Sequence, residues 1–157
     1  MKKILGIALL FVASLFATVS AHAQTPVPVY RYFNGFDHFY TQNYNELRGG
    51  NGVYNYEGIA YYVYSSQASG STLLYRLWKN GVHLYTTSAT DAQNFCLYNG
   101  WYPETSVGYV YTTPQTGTKP VYVYANGDFI FYTTNWNELG GGGQGYTYTG
   151  IAFYTPY

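Results

Sequence analysis

A short motif that occurs three times constrains this chain more than any other feature. His38-Phe39-Tyr40-Thr41 returns as His83-Leu84-Tyr85-Thr86 and again as Ile130-Phe131-Tyr132-Thr133, 45 and then 47 residues further on. Each copy follows another tyrosine, Tyr30, Tyr75 or Tyr122, so that Tyr40, Tyr85 and Tyr132 lie ten residues after it. A unit of this length cannot bury its own apolar face and must pack against its neighbours. Three units, at about 29–64, 74–111 and 121–155, therefore predict one domain closed about a pseudo-threefold axis, an arrangement that removes exposed sheet edges.

Each unit reads the same way. Val29–Phe33 is a strand, Asn34-Gly35 a type I′ turn and Phe36–Thr41 the return strand. Asn43, Ser88 and Asn135 then stand three residues before Glu46, Asp91 and Glu138, a capping residue followed by an acid that starts a short helix. Glycines end each helix, and two further strands, such as Val53–Tyr64, close the unit. The expectation is an all-β domain with short capped helices, β-trefoil-like by strand count and length. A β-prism or a small propeller-like ring is the alternative.

The first residues read differently. Lys2 and Lys3 precede the apolar run Ile4–Val19, and Ala21-His22-Ala23 has the small-x-small pattern of a signal-peptidase site. This predicts a signal peptide over 1–23 and a secreted or periplasmic domain over 24–157. The apolar run is too short for a membrane span, so no membrane insertion is expected. Cys96 is the only cysteine, which excludes an intramolecular disulfide. From Gln24 onward five basic residues oppose seven acids, a net charge of −2, and no basic stripe exists to bind nucleic acid. Tyrosine occurs 22 times while charged residues make up 9% of the chain, so hydrogen-bonding aromatic surface takes the place of charge.

Tyr30-Arg31, Asp37–Thr41 and Tyr56–Ile59 resemble a family of aromatic-rich repeats of exported bacterial and fungal proteins. Its pattern is Tyr-Arg-x-Tyr-Asn, Asp-His-Phe-Tyr-Thr-Thr and Tyr-Glu-Gly-Ile-x-Phe-Tyr-Val. The resemblance covers nearly all of 24–157. Such repeats accompany polysaccharide hydrolases, which implies a carbohydrate-facing accessory role.

Hairpin parity sorts the side chains, because opposed residues share a side and sides alternate along a strand. With Asn34-Gly35 as a two-residue turn, Arg31 faces His38. One side then holds Tyr30, Tyr32 and Phe39, with Tyr75, Leu77, Leu84, Tyr122, Tyr124 and Phe131 as counterparts, and is the expected core. The other side holds Arg31, His38 and Tyr40, then Arg76, Trp78, His83 and Tyr85, then Val123, Ile130 and Tyr132. In the second copy Asn80-Gly81 sits one residue later and would oppose His83 to Trp78. Arg and His are both present in two copies and both missing from the third, as expected of a two-residue polar site that one copy has lost. An Arg–His–Tyr patch that only stabilises a sheet is the structural alternative.

Sugar recognition needs an aromatic face plus a few fixed donors and acceptors. The candidate ligand-binding residues are therefore Arg31 and His38 with Tyr40 as ring platform, and Arg76 and His83 with Trp78 and Tyr85. No H-E-x-x-H, C-x-x-C or G-x-S-x-G occurs, so no metal, cofactor or nucleophile is expected. Glu46, Asp91 and Glu138 read as caps rather than a glycosidase pair, and Glu57 and Glu104 have no evident role. The expected function is a non-enzymatic, lectin-like module binding cell-wall or extracellular glycans. The alternative is an adhesive module contacting an envelope protein.

Overall fold

The computed structural model describes residues 24–157, and the expected signal peptide lies outside them. The first repeat consists of β1 (Val27–Phe33), β2 (His38–Thr41), α1 (Tyr44–Leu47) and β3 (Asn55–Val63). The second has β4 (Thr72–Lys79), β5 (Val82–Thr86), α2 (Ala89–Asn99), β6 (Tyr102–Pro103) and β7 (Gly108–Val110). The third has β8 (Thr118–Asn126), β9 (Phe129–Thr133), a 3₁₀ turn (Trp136–Glu138), β10 (Gly142–Gly143) and β11 (Tyr146–Pro156). Each repeat makes its own antiparallel sheet, ordered β2-β1-β3, β5-β4-β6 with β7 also on β4, and β10-β11-β8-β9. Among the described residues the sheets do not merge into a closed barrel. Isolated bridges, Tyr64 with Tyr109 and Tyr111 with Tyr154, join neighbouring repeats.

The helical turns start as the sequence indicates. Asn43, Ser88 and Asn135 accept from the backbone N–H of Asn45, Asp91 and Asn137. Their own N–H groups donate to the hydroxyls of Thr41, Thr86 and Thr133 at 3.0, 3.1 and 2.9 Å, which explains the threonine that follows each motif tyrosine. The acids are thus not needed to complete a capping box. The two expected strands after the helix are one long strand in the first repeat, two short ones in the second, and the two-residue β10 followed by the long β11 in the third.

The first hairpin corrects the expected register. Arg31 pairs with Tyr40 and Phe33 with His38, so the connection is Asn34–Asp37 rather than two residues. The Asn34 side-chain oxygen accepts from the N–H of Phe36 and Asp37 at 2.9 and 2.7 Å, an Asx turn that lengthens the loop. In the second repeat Asn80 and Gly81, both at positive φ, form the two-residue turn and Trp78 does oppose His83. The first-hairpin shift is two residues, so the side assignment survives.

Which side faces the centre does not survive. The central cluster is built on Val29, Leu74 and Val121 with Tyr40, Tyr85 and Tyr132, from the side expected to carry ligand. The opposite side is also covered, with Tyr32, Leu77 and Tyr124 buried. The three motif tyrosines meet edge to face with ring centroids 5.2–5.7 Å apart. Each hydroxyl donates to the carbonyl of the next tyrosine and accepts from its N–H. Tyr40 bonds Tyr132 (2.8 and 2.9 Å), Tyr132 bonds Tyr85 (2.9 and 3.3 Å) and Tyr85 bonds Tyr40 (3.3 and 2.7 Å). β2, β5 and β9 are sheet edges, so side chains here replace the strand that would otherwise satisfy those backbone groups.

Candidate functional site

One step along the strands from the tyrosine triangle, the same face becomes ionic. β3 skips a residue against β1: Arg31 pairs with Gly58 and Tyr32 with Tyr56, leaving Glu57 as the extra residue of a β-bulge. Gly58 at φ +118° makes the bulge possible, and the bulge turns Glu57 towards Arg31. Glu57 Oε2 lies 2.8 Å from Arg31 Nε and 3.6 Å from His38 Nε2. Glu138, from the helical turn of the third repeat, takes both its oxygens to the same guanidinium at 3.0 and 3.4 Å. Arg31 also lies over the Phe131 ring, 4.9 Å from its centroid. The site therefore spans two repeats.

A cavity of about 240 Å³ opens here, walled by Phe33, Phe131 and Tyr146 and by Arg31, Glu57 and Gln144. His38 lies against Phe33, with ring centroids 4.4 Å apart, and its side chain is 9% exposed. Its Nδ1 is buried without a hydrogen-bond partner. Burial first, then the positive charge of Arg31, pushes the His38 pKa down to about 4, so the imidazole is neutral. Burial disfavours the Glu138 carboxylate, but hydrogen bonds from Arg31 and Thr133 outweigh it and hold that pKa below the usual range.

The second repeat builds the matching cleft against the first. Arg76 pairs with Glu46 at 2.7 Å and Glu104 at 3.0 Å and covers Phe39 at 4.4 Å. His83 Nε2 is 3.3 Å from Glu104. Here, however, Asp37 closes the corner. It is fully buried, accepts from the His83 backbone N–H at 2.9 Å and from Tyr54 Oη at 2.9 Å, and meets His83 Nδ1 at 2.6 Å. Burial lowers the His83 pKa, but the hydrogen bonds to Asp37 and Glu104 raise it overall. Two histidines at one repeat position thus have opposite charge preferences. In the third repeat Val123 and Ile130 pack on the core and the bulge residue is Thr149, while Asp91 of the second repeat, the counterpart of Glu46 and Glu138, is exposed.

A family model described as Domain of unknown function (DUF5648) matches residues 14–96 and again 78–156. The chain belongs to this family. The double match marks a DUF5648 chain as internally repeated, and the overlap falls in the second repeat. No curated protein and no solved structure matches it.

Within this DUF5648 chain the candidate residues separate into two groups. Arg31 and His38 come together in one cleft, and Arg76 and His83 in the other. Tyr40 and Tyr85 are buried in the triangle, so neither offers a ring face to a ligand; their phenols serve the backbone instead. Trp78 is 37% exposed beside Tyr102, at a ring-centroid distance of 6.0 Å. The residues missing from the expected sites are Glu57, Glu104, Glu46 and Glu138, with Asp37 as the stopper of the second cleft. The covariation of Glu57, Glu104 and Thr149 with the Arg–His pair was the available signal. Among the described residues no helix is long and apolar enough to cross a membrane.

Proposed function

We propose that this chain is a non-catalytic glycan-binding module, exported and facing cell-wall or extracellular polysaccharide, with the Arg31 cleft as its working site. The observation that carries the reading is the contrast between the two clefts. Asp37 occupies the His83 Nδ1 in the second cleft, whereas in the first the equivalent His38 Nδ1 has no partner and lies beside an open cavity. Buried polar atoms without partners are uncommon in folded proteins and call for an explanation. Aromatic walls with a few fixed polar groups suit the apolar face and hydroxyls of a pyranose. At about 240 Å³ the cavity fits one sugar residue rather than a long chain. Glu46, Glu104 and Glu138 are all held below the usual carboxylate range by their partners, the opposite of what a glycosidase proton donor requires.

Among the closed arrangements expected for three repeats, a propeller-like ring agrees better with three separate sheets than a trefoil does. An adhesive module is the second reading, favoured by Leu97 and Tyr98 on α2 and by Tyr102, all exposed. A polysaccharide pull-down compares wild type with Tyr146→Ala and with Tyr98→Ala. Loss of binding with Tyr146→Ala alone supports the cleft. Polysaccharide binding that depends on Tyr98 instead, or no polysaccharide binding at all, refutes it.

A further inference from the structure

The Arg31 cleft carries more negative than positive charge. Glu138 commits both oxygens to Arg31, whereas both partners of Glu57, Arg31 Nε and His38 Nε2, meet its Oε2 and leave Oε1 for a ligand. His38 Nε2 lies 3.6 Å from Glu57 Oε2, and His38 Nδ1 is buried without a hydrogen-bond partner. One guanidinium faces two carboxylates, and the imidazole between them is neutral, so the group carries one uncompensated negative charge. Phe33, Phe131 and Tyr146 form the remaining wall, and aromatic faces attract a cation within ~6 Å.

We propose that the Arg31 cleft selects an amino sugar, a pyranose whose free, protonated amine sits against Glu57 while its ring lies on the aromatic wall. The inference rests on the glycan-binding reading and narrows it to one substrate class. A hydroxyl could fill the acceptor sites, but only an ammonium also balances the charge. An acidic sugar would bring a second negative charge to the same place. N-acetylation removes the positive charge and replaces it with a neutral amide that cannot compensate Glu57.

Titration calorimetry on the wild-type domain, at a pH where the amine is protonated, separates the possibilities. The ligands are glucosamine oligomers, N-acetylglucosamine oligomers, neutral glucose oligomers and n-butylamine as an amine without a sugar. The expected result is at least tenfold tighter binding of glucosamine oligomers than of the acetylated or neutral ones, with n-butylamine weaker than all detectable sugars. Glu57→Gln is expected to abolish that preference, and Tyr146→Ala to weaken every sugar alike. Equal affinity for charged and neutral oligomers, lost in Tyr146→Ala, overturns the amine selectivity and leaves glycan binding standing. Butylamine binding as tightly as glucosamine oligomers overturns the sugar requirement. No binding of any oligomer overturns both.

Discussion

Tyr132 and Tyr61 make a matched pair of perturbations with opposite expected signs. Both are buried in the central cluster, and Phe153 packs against both rings. The Tyr132 hydroxyl bonds the backbone N–H and carbonyl of Tyr85, whereas the Tyr61 hydroxyl is buried with no partner. Tyr132→Phe removes both bonds and strands two backbone groups of an edge strand in the core. A lost bond is worth about 1 kcal/mol and a stranded buried group about 1–3 kcal/mol. The loss should therefore reach roughly 2–4 kcal/mol, a fall in Tm of roughly 10 °C for a domain of this size. Tyr61→Phe removes only an unpaired polar atom, and is expected to be neutral or stabilising by up to ~2 kcal/mol. Urea unfolding and thermal melts on the two variants measure both. Equal shifts in the same direction would refute the view that phenol-to-backbone bonding, rather than ring packing, holds the centre.

The two histidines set opposite limbs of a pH–stability profile. His38, depressed to about 4 in the folded protein, is protonated more readily in the unfolded chain, so stability falls as pH drops from about 6.5, by roughly 3 kcal/mol at most. His83, raised in the folded protein, contributes stability that is fully present below about 6.5 and is lost as pH rises through its folded value. Unfolding in urea from pH 4 to 9 should show the acid limb shrink in His38→Gln to the part that Glu46, Glu104 and Glu138 supply, and the neutral-to-alkaline limb vanish in His83→Gln; limbs unchanged by these variants would sink the assignment. Gly108→Ala places a Cβ 2.6 Å from Val63 Cγ2 and 2.9 Å from the Tyr64 carbonyl at φ +140°, whereas Gly127→Ala meets nothing within 4 Å at φ +60°. The first should cost at least ~2 kcal/mol more than the second, and equal melting temperatures would contradict the close packing.

Much of this is legible in the sequence. The spacing of Tyr40, Tyr85 and Tyr132 marked three equivalent units, and the joint absence of Arg and His at Val123 and Ile130 marked a position that one repeat does without. Parity along β1 and β2 separated the side chains onto the right two faces. It could not say which face meets the axis, because Tyr32 and Tyr40 are equally aromatic and the two faces are both covered. The roles of Glu57 and Glu138 stayed hidden for a different reason. One depends on a bulge, which breaks the period on which strand patterns are read, and the other on contact with a residue 107 positions away. Asp37 looked like a hairpin residue and is instead the partner of a histidine in the next repeat. Local chemistry predicts a side chain's own element well and its partner across a repeat boundary poorly.

The tyrosine triangle also bears on how the chain reaches its fold. Its bonds join residues 45, 47 and 92 positions apart, and each repeat supplies one hydroxyl and receives one. No pair of repeats can complete the circuit. In a linear array, units can form one after another and fray from the ends. Here every unit waits for the last, so the entropy of bringing distant segments together is paid before the central bonds form. That predicts a single cooperative transition with slow refolding. A chain cut after the second repeat would lose the Tyr132 hydroxyl and leave β5 with open backbone groups and the means to pair with another molecule.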